Sequence, residues 1–162
     1  LQMVPLQMTM ESQAKQALIV ALRLLTATPK SARELEAKLS EKGFPPALIQ
    51  STLQDLNARG FLNDKAYAKN LAARLTYERP SGRYKIDFEL KRHKISPQIR
   101  EEILSTLSPA EERSRARELA GARWERFKTL TPEKRKKRVY DYLIRRGFEF
   151  QMVRDLIDEF SN

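Results

Sequence analysis

Residues 31–44 read Ser-Ala-Arg-Glu-Leu-Glu-Ala-Lys-Leu-Ser-Glu-Lys-Gly-Phe, and they contain every signal that a short amphipathic helix needs. Ser31 and the glutamate three positions later have the spacing of a capping box, in which each side chain satisfies an amide at the helix start. Leu35 and Leu39 lie one turn apart and therefore on the same face. Gly43 stands where helices commonly end in the left-handed conformation. The stretch predicts one helix between Ser31 and Gly43.

The same pattern returns twice further along the chain. When Leu39 is aligned with Leu90 and Leu143, five more columns of apolar residues coincide in the three copies. These columns are Leu35/Ile86/Val139, Phe44/Ile95/Phe148, Leu48/Ile99/Met152, Leu53/Leu104/Ile157 and Leu56/Leu107/Phe160. The copies are 51 and 53 residues apart, so the chain contains an internal repeat of about fifty residues. Prolines and polar caps divide each copy into three helices.

The predicted fold is all-α, a tandem array of three three-helix repeats at residues 11–61, 62–108 and 109–162. Alternating apolar patterns are short and lack hairpin turns, so no strand is predicted. A unit of this size buries little core alone and gains stability from its neighbours, which predicts an elongated, straight or curved solenoid. Residues 1–10 match none of the copies, and we predict a disordered extension there.

The second copy departs from the other two at one helix end. Lys94 occupies the position that Gly43 and Gly147 hold in the first and third copies. Either this lysine is forced into the left-handed conformation, at a cost of roughly 1 kcal/mol, or the helix ends differently. The sequence leaves both alternatives open.

Composition removes most enzyme chemistries. The 162 residues include no cysteine and a single histidine, so disulfides, thiolate metal sites and multi-histidine metal sites are excluded. The five glycines are too far apart for a glycine-rich phosphate loop. No apolar run approaches the ~20 residues that a membrane span needs. We therefore predict no catalytic residue, no metal and no cofactor, and no membrane partner.

The net charge of +10 is concentrated in two segments. The middle basic segment, residues 74–100, has 8 basic and 3 acidic side chains. The third-repeat basic segment, residues 113–138, has 11 basic and 3 acidic side chains. Such charge favours a polyanionic partner, because cations at phosphates release bound counterions.

The most informative stretch is the basic run, which comprises Lys134, Arg135, Lys136, Lys137 and Arg138. Five consecutive residues advance by about 500° around a helix, so they cannot share one solvated face. They also follow a predicted helix start, where the macrodipole disfavours cations. The run therefore suggests an anion held by side chains and free amides together, with a solvated basic turn as the alternative.

Other basic residues vary in how strongly they indicate binding. Lys91 and Arg92 precede a helix end, where positive charge is favourable without any ligand. Trp124, among the arginines of the third-repeat segment, could stack on a base, but a core role is the preferred interpretation. The candidate binding residues are Arg79, Arg83, Lys85, Lys91, Arg92, Arg113, Arg117, Arg123, Arg126, Lys134, Arg135, Lys136, Lys137 and Arg138.

At its repeat boundaries the sequence resembles the RecX family of recombinase regulators, over nearly everything after Glu11. The matching residues are Ser31…Glu34-Leu35…Lys38-Leu39…Gly43-Phe44, Leu53…Leu56…Arg59-Gly-Phe-Leu-Asn-Asp64…Tyr67-Ala68, Gly82-Arg-Tyr-Lys-Ile86…Glu89-Leu90…Ile95 and Arg146-Gly-Phe148. The chain departs from the family at Asn63, where aspartate is usual. It departs again at His93-Lys94-Ile95, where the family has Lys-Gly-Ile.

The resemblance implies a cytoplasmic bacterial protein built of tandem three-helix repeats. It further implies binding to the RecA recombinase filament on single-stranded DNA and modulation, mostly inhibition, of its ATPase, strand-exchange and coprotease activities. The family has no catalytic residues to carry over, and we expect a monomer. The alternative hypothesis is a helical regulator that recognises duplex DNA, because three-helix units can resemble homeodomain-like modules.

Overall fold

The computed structural model describes residues 9–162, which form helices and connecting turns and contain no strand. Residues 1–8 lie outside the described part, and with them most of the predicted extension. Thr9 already caps the first helix through its side chain. The helices are α1 (Met10–Ala27), α2 (Ala32–Glu41), α3 (Pro46–Ala58), α4 (Asp64–Tyr77), α5 (Arg83–Arg92), α6 (Pro97–Ser105), α7 (Pro109–Arg126), α8 (Pro132–Arg145) and α9 (Phe150–Ser161).

The predicted caps form as expected at most helix starts. The Ser31 hydroxyl accepts from the Glu34 amide at 3.2 Å, and the Glu34 carboxylate accepts from the Ser31 amide at 2.9 Å, which completes the capping box. Ser96 and Ser108 cap α6 and α7 in front of a proline at the first helical position. The Asn63 side chain accepts from the Ala66 amide at 3.0 Å, so it caps α4 in spite of its departure from the family pattern.

The middle helix of each repeat ends in the same way. Gly43, Lys94 and Gly147 have φ values of 88°, 57° and 83°. Each of the three amides donates to the carbonyl three residues earlier, and the next amide donates to the carbonyl five residues earlier, which is a Schellman motif. The structure thus resolves the two alternatives for Lys94: the lysine adopts the left-handed conformation.

The chain divides into two compact units within α4, one ending at Tyr67 and the other running from Ala68 to Asn162. In the first unit α1, α2 and α3 pack around a core that contains four of the five leucines of the repeat pattern. In the second unit α7, α8 and α9 surround a core that includes Val139, Leu143 and Phe148. Ile86 and Leu90 of α5 are fully buried as well. The apolar columns therefore mark the inward face of the helices, as the sequence predicts.

Within the second unit, the loop before α5 is joined to the turn between α8 and α9. The Gly82 amide donates to the Arg146 carbonyl at 2.8 Å, and the Tyr84 amide donates to the Gly147 carbonyl at 3.1 Å. The Arg146 guanidinium returns two hydrogen bonds to the Pro80 carbonyl, at 2.7 and 3.0 Å. A side chain at Gly82 would collide with the Gly147 carbonyl. This joint fixes the start of α5 against the end of α8.

A carboxylate from the next repeat caps the start of α2 and of α5. Asp64 of α4 accepts from the Ala32 amide at 2.8 Å. Glu112 of α7, only 1% exposed, accepts from both the amide and the Nε of Arg83 at 2.9 Å. Gly82 has no side chain to cap α5, so Glu112 replaces the missing cap and neutralises Arg83 at the same time.

Candidate nucleic-acid interface

The basic run begins in a helical turn that the first two repeats lack. Helices α2 and α5 begin three residues before the first apolar column, whereas α8 begins seven residues before Val139. The additional turn comprises residues 132–135, so the basic run occupies the extension and the turn after it. Thr131 precedes the helix but makes no side-chain capping hydrogen bond. The start of α8 is therefore rich in cations and lacks the hydroxyl cap that α6 and α7 have.

One member of the basic run folds back onto the protein. The Nε of Arg135 donates to the Trp124 carbonyl at 2.8 Å, and its guanidinium lies 4.0 Å from the centre of the Trp124 ring. Trp124 also stacks on Phe160, with ring centres 6.2 Å apart, and packs against the core of the third repeat. The preferred core role of Trp124 is confirmed, and the same ring holds Arg135.

The other four members of the run project into solvent. Lys137 is paired with Asp141 one turn later, at 2.8 Å. Lys134, Lys136 and Arg138 are exposed, and none of them has an ion pair within residues 9–162. Turning Arg135 inward is how the helix accommodates five successive cations, and it leaves three unpaired charges for a partner.

A shallow groove of about 480 Å³ between α8 and α9 adjoins these cations. Lys136 and Lys137 line one side, and Tyr140, Arg154 and Ile157 continue the wall together with Asp158. The sequence analysis missed Tyr140 and Arg154. Arg154 stands apart from both basic segments, and only the packing of α9 beside α8 brings it to the run.

Two of the predicted candidates on α7 are already paired within the protein. Arg113 and Arg117 share one face, as their spacing predicts, and both contact the carboxylate of Glu159 on α9. The Arg117 contact is 3.0 Å. Their charge joins α7 to α9, so they contribute less to an external site than the unpaired cations of α8.

The remaining α7 candidates differ from each other. Arg123 lies over the Tyr142 ring at 4.0 Å from its centre, a contact that joins α7 to α8. Arg126 is exposed at the last position of α7, with no ion pair in the described part of the chain. Arg126 is therefore available to an anion, whereas Arg123 is held by the aromatic ring.

The candidate residues of the middle basic segment also include both paired and unpaired cations. Glu89, whose side chain is 13% exposed, contacts Lys85 at 3.4 Å and Arg92 at 3.1 Å. Arg79 and Lys91 are exposed without an ion pair among the residues that the structure describes. Arg83 is the one candidate of this segment whose charge is neutralised by a fully buried carboxylate.

The joint between α5 and the α8–α9 turn does not include the basic run. The turn follows the C-terminal end of α8. Lys134 lies twelve residues before Arg146, which is ~18 Å along the helix axis. The joint therefore lies away from Lys134, where the basic run begins.

One carboxyl group reports on the electrostatics at the end of α7. The pKa of Glu125 is lowered, first because Lys128 donates a hydrogen bond to it and adds positive charge, and further because Arg135 is nearby.

No cluster of three or more potential metal ligands occurs within residues 9–162. Over the same range, no helix has the length and apolar character to cross a bilayer.

Comparison with known proteins identifies the family to which this chain is similar. Residues 17–56 match the model of the first three-helix domain of RecX, and residues 110–157 match that of its third three-helix domain. The regulatory protein RecX of Chlorobium phaeobacteroides is 31% identical over 92% of this chain and 96% of its own length. That of Trichlorobacter lovleyi is 31% identical over 94% and 100%.

The fold is shared as well. The crystal structure of RecX from Lactobacillus salivarius superposes with a TM-score of 0.83 at 19% identity, over 94% of this chain and 99% of that one. The all-α, three-helix architecture predicted from the repeats is confirmed, and so is the resemblance that the repeat boundaries carry. The chain belongs to the RecX family of regulatory proteins.

Proposed function

We propose that this protein binds the RecA recombinase filament on single-stranded DNA and modulates, mostly inhibits, its ATPase, strand-exchange and coprotease activities. In this role it acts in the cytoplasm, as a monomer, in the control of recombination, DNA repair and the SOS response. Membership of the RecX family of regulatory proteins supports the regulatory role.

The observation that carries the nucleic-acid part of the proposal is the added turn of α8. Positive charge at a helix start is unfavourable by about 0.3–1 kcal/mol for each cation in the first turn. Lys134 lies in this first turn and bears the cost, Lys136 and Arg138 follow in the next turn, and none of the three has an internal counter-ion in the described structure. A phosphate bound there would interact with the cations and with the amides of the first turn of α8. We therefore assign DNA contact first to these three residues.

The distribution of charge separates a phosphate surface from the rest of the protein. Unpaired cations at the start of α8 suit the DNA backbone, which is uniformly anionic. The paired arginines of α7 are held in place by Glu159 and leave that face less charged. We propose that the cations of α8 face DNA and that the recombinase contacts other parts of the chain.

The test is the hydrolysis of ATP by RecA on single-stranded DNA, titrated with this protein. We expect inhibition at stoichiometric levels, and no effect there would contradict the regulatory proposal. The DNA contact is tested with Lys134→Glu, Lys136→Glu and Arg138→Glu together. Arg135 stays unchanged, because its replacement would also disturb Trp124.

The expected result is weaker binding to single-stranded DNA with a smaller salt dependence. Each phosphate contact contributes ~0.7 to the slope of log K against log salt on a single strand, so losing three lowers its magnitude by about 2. A control variant with Arg23, Arg33 and Lys42 changed to glutamate has the same net charge, because it also replaces three cations by three anions, and these residues are exposed in the first unit. An equal loss in both variants would mean that bulk charge, and not the start of α8, governs binding.

A further inference from the structure

We propose that Tyr84 and Phe88, an exposed aromatic pair on α5, form a stacking surface for the unpaired bases of a single nucleic-acid strand. This inference rests on the proposed action of the protein at a single-stranded DNA filament. It adds a contact to the bases, which the cations of α8 cannot supply. Nothing in the chain's similarity to other proteins assigns a role to these two residues.

Both aromatic side chains of the pair are largely exposed to solvent. Tyr84 is 60% exposed and Phe88 is 58% exposed. They stand four residues apart, so their side chains are neighbours on one face of α5. The opposite face of the helix buries Ile86 and Leu90 completely. The two rings therefore contribute little to the core.

Comparison of the three repeats shows that the fold does not need aromatic residues at these positions. In the register set by the apolar columns, the first repeat has Arg33 and Ala37 here, and the third has Lys137 and Asp141. The helices α2 and α8 form without such rings and end in the same Schellman motif as α5. A pair of exposed rings in one copy alone points to an interaction that only this copy makes.

The charges around the pair favour nucleic acid over an apolar protein surface. Lys85 lies 5.6 Å from the centre of the Phe88 ring, and Glu89 fixes Lys85 and Arg92 on the same helix. Lys91 is exposed and unpaired within the described residues. A single strand supplies both a π-face for the rings and a phosphate for the cations, as in other single-strand binding proteins.

The backbone that carries the pair is also held in place by hydrogen bonds. The Tyr84 amide donates to the Gly147 carbonyl, and the amide before it donates to buried Glu112. Glu112 lies in α7, Gly147 lies in the turn after α8, and the neighbouring Phe148 is only 2% exposed. Stacking on pre-ordered rings costs less conformational entropy than stacking on a mobile loop.

The experiment measures binding of the full chain to two fluorescent strands of equal length at one salt concentration, by anisotropy. One strand is oligothymidylate, and the other carries abasic sites and therefore the same phosphates without bases. The double variant Tyr84→Ala, Phe88→Ala should bind oligothymidylate at least about 30-fold more weakly, as expected for the loss of two stacking rings. Its affinity for the abasic strand should stay within about twofold of the unchanged protein.

Two controls make the result decisive. Phe61→Ala removes a ring that is 59% exposed in the first unit, and should leave both affinities unchanged. Tyr84→Phe with Phe88→Tyr keeps two rings and should retain the preference for bases. Equal losses on both strands, or no loss on either, would overturn the proposal. RecA ATPase measured with the same variants reports separately on the proposed function, which survives if only base stacking fails.

Discussion

Replacing Gly147 by alanine tests whether the joint between the second and third repeats is a close backbone contact. A Cβ at this position would lie 2.3 Å from both the backbone nitrogen and the Cβ of Lys85. These atoms belong to the first turn of α5 and cannot swing aside as the end of a flexible side chain could. The matched change is Gly43→Ala, because Gly43 has the same place in the first repeat and no heavy atom within 4 Å of a Cβ.

The expected loss of stability in Gly147→Ala has two contributions, and the control variant Gly43→Ala has only one of them. Both glycines have positive φ, 88° at Gly43 and 83° at Gly147, so alanine costs about 1–2 kcal/mol at either site. Forcing a methyl group into the contact with Lys85 adds about 1–3 kcal/mol. We expect a loss of about 1–2 kcal/mol for Gly43→Ala and of about 2–5 kcal/mol for Gly147→Ala.

The assay is urea unfolding followed by far-ultraviolet circular dichroism, with fluorescence of Trp124 as a second probe. Trp124 is the only tryptophan of the chain and lies in the third repeat, so its signal isolates the part of the molecule that contains Gly147. The slopes of the urea transitions are compared as well as their midpoints, because a changed slope would indicate a change in the unfolded state. If the two alanine variants lost the same stability, the close approach of the α8–α9 turn to α5 would be refuted.

Three further changes test single contacts. Glu112→Ala should lower the free energy of unfolding in urea by about 2–3 kcal/mol, because Arg83 loses two hydrogen bonds to a charged acceptor. Glu112→Gln keeps an acceptor and should cost less. Equal losses of stability in the two variants would contradict this assignment. Lys94→Gly should raise stability by about 1 kcal/mol in a thermal melt by relieving a φ of 57°, and a lower midpoint would argue against strain there. Lys128→Ala should raise the pKa of Glu125 towards its ordinary value in an NMR titration, since Lys128 is the main cause of its lowering, and an unchanged pKa would remove that cause.

The order of the helices could be predicted because the signals that set it are local. Capping residues, prolines at first helical positions and the left-handed glycines each act within a few residues of their own position. The observed α2, Ala32–Glu41, accordingly lies just inside the predicted limits of Ser31 and Gly43. Lys94 shows where local information ends: its conformation depends on a hydrogen-bond pattern that the sequence alone left open.

The candidate site could be predicted only as a set of charges. Sequence identifies the cations of a segment but not the carboxylates or rings that packing brings to them from distant parts of the chain. Arg113 and Glu159 are 46 positions apart, and the pairing of Arg135 with Trp124 depends on how α8 crosses α7. Arg154 was missed for the same reason, since it joins the basic run only across the groove.

The three copies supply an internal standard for separating folding from function. Each copy must bury the same columns, so a feature present in all three, such as the buried apolar pair of the middle helix, is explained by packing alone. The added turn of α8 and the aromatic pair of α5 occur in one copy each, and the other two copies form the corresponding helix without them. Both features also oppose local preference, because they place cations at a helix start and apolar rings in water. We propose that a partner offsets both features, because phosphate-binding cations and base-sized rings match the two parts of a single DNA strand.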